Sequence, residues 1–95
     1  MGHYAAILYI LDPIKRQELR PQHLVHLNKL QEQGKIFAKG PFVDGSGGLV
    51  VYVADSLEEA QVMAEKDPYV TEKALRLELH EWKLLQKGWN CIRII

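Results

Sequence analysis

The sequence predicts a single α+β domain whose elements follow the order β-α-β-β-α-β. Three observations carry this. The chain has 95 residues, room for one ordinary hydrophobic core. Apolar runs rich in β-branched and aromatic residues, YAAILYIL and LVVYVA, read as strands, and stretches with leucines or alanines at helical spacing lie between them. Turn and stop signals, Asp12-Pro13, Gly34, Gly40-Pro41 and Asp67-Pro68, separate one from the next.

The first strand is expected over Tyr4 to Leu11, ended by a turn at Asp12-Pro13. A helix pattern begins at Gln17, with Pro21 suited to the first turn, Leu24, Leu27 and Leu30 inward, and Gly34 as the stop. Lys35 to Lys39 sets Ile36 and Ala38 against Phe37 as a second strand, and Leu49 to Ala54 forms the third, so the two read as a hairpin around the Asp44 to Gly48 loop. Ser56 and Glu59 have capping-box spacing and open a second helix that turns Leu57, Ala60, Met63 and Ala64 inward until Asp67-Pro68. Leu75 to Leu85 is the last strand, with a bulge where Trp82 and Leu84 change the alternation.

This order is the ferredoxin-like split β-α-β arrangement, a four-stranded antiparallel sheet with both helices on one face. A sheet with its second face in water should alternate apolar and polar residues, yet the first and third strands are apolar at both parities. The uncovered face is therefore expected to pack on the same face of a second copy, as a C2 homodimer. Trp89, Cys91, Ile92, Ile94 and Ile95 make residues 86–95 an apolar tail or arm, expected to dock on the partner or on its own subunit.

Composition excludes several functions. Twelve Lys+Arg balance twelve Asp+Glu, which leaves no positive field for nonspecific nucleic-acid binding. The third strand, LVVYVA, lacks the aromatic platform of an RNA-recognition sheet, and no Cys-x-x-Cys follows the first strand as in copper chaperones. The loop FVDGSGG has the glycines of a phosphate cradle, but no Lys-Ser/Thr and no helix follow it. A single cysteine, no membrane-length apolar run and no signal-peptide pattern make a cytoplasmic protein the expectation, with no membrane partner.

Antiparallel helices bring the start of the first and the end of the second to one end of the molecule, where the hairpin loop also lies. That topology gathers Arg20, His23, Ser46, Asp67 and Tyr69 at one rim. A carboxylate on one imidazole nitrogen fixes the tautomer and frees the other nitrogen for proton transfer, so Asp67 and His23 form a candidate acid/base pair. His23 and His26 are three apart on a helix, close enough to share a metal ion with Asp67 as a conceivable third ligand. Without a clear third and fourth ligand the pair reads as one pocket or core residue and one solvent-facing one, and neither metal nor cofactor is expected. His3 and His80 read as surface or sheet-interface residues, and Cys91 is remote from any histidine in sequence.

RPQHLVHLNKLQEQGKIFAKGPF followed by SLEEAQVMAEKDPYV resembles the YciI-like (YCII-related) family of small bacterial proteins, over about Tyr4 to Leu85. The shared features are an Arg-Pro-x-His-Leu helix start, a Gly-x-hydrophobic turn to Gly-Pro, and a Ser-x-Glu-Glu-Ala helix ending in Asp-Pro-Tyr. The resemblance implies a dimeric α+β barrel, similar to muconolactone isomerases and a chlorohydroxyquinol dehydrochlorinase. It further implies a His-Asp active site, which falls on His23 and Asp67, with Arg20, Gly40, Pro41 and Tyr69 at neighbouring motif positions. Thr71-Glu72-Lys73-Ala74 departs from the small-residue turn expected after Asp-Pro-Tyr-Val. The expected activity is cofactor-independent isomerisation or elimination on a small carbonyl, lactone or hydroxylated cyclic substrate. His23 and Asp67 are then catalytic, and Arg20, Pro41, Ser46 and Tyr69 bind substrate, with backbone N–H groups near Ser46 and Gly47 facing an oxyanion. A dimer that binds a small molecule without turning it over, and a purely structural dimer, are the competing expectations.

Overall fold

The computed structural model describes residues 1–85, and the expectations for the tail, including Trp89, Cys91, Ile92, Ile94 and Ile95, lie outside them. The elements are β1 (Gly2–Ile10), α1 (Pro13–Glu32), β2 (Ile36–Pro41), β3 (Gly47–Ala54), α2 (Leu57–Glu65), α3 (Pro68–Thr71) and β4 (Leu75–Trp82). The strands form one antiparallel sheet in the order β2-β3-β1-β4, the ferredoxin-like arrangement. Among the described residues, no helix is long and apolar enough to cross a membrane.

The helix-facing side of the sheet holds the core. Tyr4, Ala6 and Leu8 of β1 and Val50, Tyr52 and Ala54 of β3 pack there with Leu27, Ala60, Met63, Ala64, Tyr69 and Leu75. Alternation along a strand then puts Ala5, Ile7, Val51 and Val53 on the opposite side, where Ala5 pairs with Val51.

Four local expectations change. The first helix starts at Pro13, because Asp12 caps it by accepting a hydrogen bond from the Lys15 N–H and Pro13 suits its first turn. Pro21 consequently lies inside α1, where it gives the Gln17 carbonyl no N–H partner, and His23 sits mid-helix. Asp67-Pro68 ends α2 but also begins α3, in which the Asp67 carboxylate accepts the Tyr69 N–H at 3.0 Å. The bulge lies in β2: Ile36 pairs with Tyr52 and Ala38 with Val51, so Phe37 is the extra residue and Ile36 and Ala38 face opposite sides. β4 pairs with β1 without interruption from Leu75 to Trp82, and the changed alternation at Leu84 falls beyond the strand.

The Ser56 side chain accepts the Glu59 N–H at 3.1 Å, and the Glu59 carboxylate reaches back to the Asp55 N–H. At the departing turn, Lys73 takes the left-handed conformation (φ 58°) that a small residue would adopt more easily.

Candidate active site

α1 presents Arg16, Arg20, His23, Leu24 and Leu27 along one stripe at helical spacing, and all five line a cavity of about 210 Å³ between this helix and the sheet. The opposite wall is backbone-rich: Lys39, Gly40 and Pro41 of β2 face Gly47 and Gly48 of β3. Glycine is required at position 47, where a Cβ would collide with the Leu8 carbonyl oxygen. Leu8, Val50, Leu75 and Tyr69 complete the lining.

The His23 Nδ1 lies 2.8 Å and 2.9 Å from the two carboxylate oxygens of Asp67. Asp67 is 1% exposed, and α3 follows it so tightly that its carboxylate also caps the Tyr69 N–H. An ionised carboxylate can only accept, so the neutral imidazole carries its proton on Nδ1, and Nε2 is the ring nitrogen left for a ligand. Tyr69 stacks on the imidazole with centroids 3.8 Å apart and planes 13° from parallel. The ring is thus fixed in position by a hydrogen-bond pair at one edge and an aromatic face on one side.

Burial raises the pKa of the Tyr69 phenol, while the nearby Arg16 and Arg20 guanidinium groups pull it back down. Tyr52, buried in the core, has its phenol pushed far up by desolvation and by the negative charge of Asp67.

The structure brings together His23, Asp67, Arg20, Pro41 and Tyr69, all five at the cavity or directly behind it. Ser46 is not among the lining residues: its N–H and hydroxyl are both given to the Asp44 carboxylate, at 2.9 Å and 2.7 Å, which removes that N–H from any oxyanion role. Asp67 is no rim residue: it is buried behind His23, at the cap of α3. Sequence reasoning missed Arg16 and Lys39. Arg16 becomes visible once the Asp12-Pro13 cap is read as the helix start, since it then falls one turn before Arg20. His26 is used structurally, its Nε2–H donating to the Met63 carbonyl at 3.1 Å. Among the described residues no three His, Cys, Asp or Glu side chains converge as a metal site.

Residues 3–83 match the model of the YCII-related domain. The chain is 34% identical to the uncharacterized protein YjpA of Bacillus subtilis over 80 residues, covering 80% of this chain and 94% of that protein. It is 38% identical to protein YciI of Escherichia coli over 66 residues, 59% of this chain and 67% of YciI. In three dimensions it resembles the 5-chloro-2-hydroxyhydroquinone dehydrochlorinase of Burkholderia phenoliruptrix, solved with 2,5-dihydroxybenzoquinone, at a TM-score of 0.73. That match covers 85% of this chain and 93% of the dehydrochlorinase at 20% identity, a likeness of fold.

Proposed function

We propose that this chain, which belongs to the YCII-related domain family, is a small enzyme that moves protons with His23 as general acid/base and Asp67 as its orienting partner. One observation carries the reading: a cavity-lining imidazole whose Nδ1 is held by both oxygens of a buried carboxylate. In such a pair, Nε2 takes a proton from a carbon next to a carbonyl, and the C–H electron pair moves onto the carbonyl oxygen. Asp67 stabilises the imidazolium that forms. Returning the proton at another carbon completes an isomerisation. Expelling a leaving group with the same electron pair completes an elimination, the type of reaction named for the dehydrochlorinase of like fold. The substrate is a small carbonyl, lactone or hydroxylated cyclic compound. Arg20 and Tyr69 contact it from the helix side, and Pro41 shapes the opposite wall. No step here requires a cofactor.

The active unit is a homodimer formed through the open sheet face, in the manner of a dimeric α+β barrel. Support comes from the half-buried apolar side chains of Ala5, Ile7 and Val53 on the side away from the helices.

The test is turnover of enolisable acids and lactones by the wild type and by His23→Gln. The variant is expected to keep its circular dichroism spectrum and lose about 10²- to 10⁴-fold in rate, the usual contribution of a general base. A substrate turned over equally fast by both proteins would remove His23 from the chemistry. Binding without product anywhere in the screen would favour a small-molecule-binding protein.

A further inference from the structure

The lining of the cavity carries three basic side chains besides His23 and no acidic one. Arg16 and Arg20 lie one turn apart on α1. Lys39 comes from the opposite wall: it pairs with Val50, a core residue, so its side chain leaves β2 on the helix-facing side. Among the described residues the two ion pairs are His23–Asp67 and His80–Glu78, so none of these three cations is neutralised by a carboxylate. Asp67 lies buried behind His23 and outside the lining. The whole chain is formally neutral, so positive charge is concentrated here against an even overall balance.

Position and chemistry divide the cations into two poles. Arg16 and Arg20 lower the Tyr69 phenol pKa, which puts their field at the end where Tyr69 stacks on His23. Two guanidinium forks on one helix face suit a carboxylate, and Lys39 offers a compact point charge from across the gap. Between the poles the floor is apolar, made by Leu8, Leu27, Val50 and Leu75. The volume, about 210 Å³, is below the roughly 300–1,000 Å³ usual for drug-sized ligands, which limits the occupant to a compact molecule.

We propose that the substrate is a small organic dianion: one carboxylate on Arg16 and Arg20, a second acidic group directed to Lys39, and the carbon skeleton across the apolar floor beside His23. This rests on the reading of the cavity as the reaction site, and it adds the charge of the substrate and two recognition residues, Arg16 and Lys39. The arrangement selects against neutral analogues, which would leave three cations facing one another with no counter-charge.

Maleate, its monoamide maleamate and its diamide maleamide remove one negative charge at a time from nearly the same shape. Calorimetric titration of the full chain is expected to show affinity falling about tenfold with each charge removed, the scale of a hydrogen bond to an ionised group. Lys39→Gln should weaken maleate and leave maleamate unchanged, whereas Arg16→Gln should weaken both. Maleate affinity of the wild type should fall as salt is raised, which tests the electrostatic origin without any variant. Equal affinity across the three compounds, no binding of maleate, or variants that bind like the wild type would each overturn the proposal. Maleate binding by the wild type with no turnover of any substrate would count against the enzymatic reading alone. His23-dependent turnover of a neutral substrate without maleate binding would count against the dianion alone.

Discussion

At the scale of single residues, Asp67 concentrates more roles than any other side chain in the site. It accepts from His23 and caps the Tyr69 N–H while being almost fully buried. Asp67→Ala should cost about 2–4 kcal/mol in urea unfolding, since it removes a charge-assisted hydrogen bond and an N-cap together. That makes His23→Gln the cleaner probe of chemistry. Tyr52 gives a pH dependence whose sign follows from its environment. Desolvation holds its phenol above the ordinary value of 10.0, so the folded chain keeps a proton that the unfolded chain releases. The stabilisation is fully present below pH 10 and is lost as pH rises toward the folded value, by at most about 1.4 kcal/mol per pH unit. Tm should fall above pH 10, and the fall should be shallower in Tyr52→Phe. The pairing of His23 with Asp67 was legible through motif and topology, but its distance was not, because α3 and its cap sit inside what reads as a plain Asp-Pro stop.

At the scale of elements, turn chemistry marked most boundaries and misled at two. Asp-Pro serves both as a terminator and as an N-cap with N1 proline, and in α1 and α3 it acts as the latter. Reading the helix from Gln17, with Pro21 in its first turn, follows from the usual cost of proline inside a helix; here the stronger cap at Asp12 overrides it. The β2 bulge at Phe37 was hidden because three apolar residues in a row fit either face. The β2–β3 hairpin also forms the rear wall of the cavity, so its backbone spacing matters to ligand fit. Gly47→Ala should force β3 away from the Leu8 carbonyl, with which a Cβ would otherwise collide. The variant is expected to unfold at lower urea concentration and to lose maleate affinity, both readable in one titration series.

At the scale of the whole molecule, the open sheet face divides into two halves. β1 and β3 give it the half-buried Ala5, Ile7 and Val53, and on β4 Arg76 lies over the Tyr9 ring while His80 and Tyr9 both reach Glu78. An apolar half beside a charged half suits a C2 contact, in which each half of one copy meets a defined half of its mate. Ile7→Glu should shift sedimentation from dimer toward monomer with an unchanged circular dichroism spectrum. A wild type that sediments as a monomer would remove the barrel from the account. The apolar character of this face was legible from two strands that never alternate; its charged half was not, because it rests on contacts among Tyr9, Arg76, Glu78 and His80 that no spacing specifies.

Pro21 has a consequence for how α1 can move. With no N–H at that position, α1 lacks one rung between the segment that carries Arg16 and Arg20 and the segment that carries His23. The first segment is also the less buried one, whereas Leu27 anchors the second in the core. The helix can therefore bend at the proline while Leu27 holds the imidazole-bearing part, so that a change in the tilt of the arginine-bearing part leaves His23 and Asp67 in register.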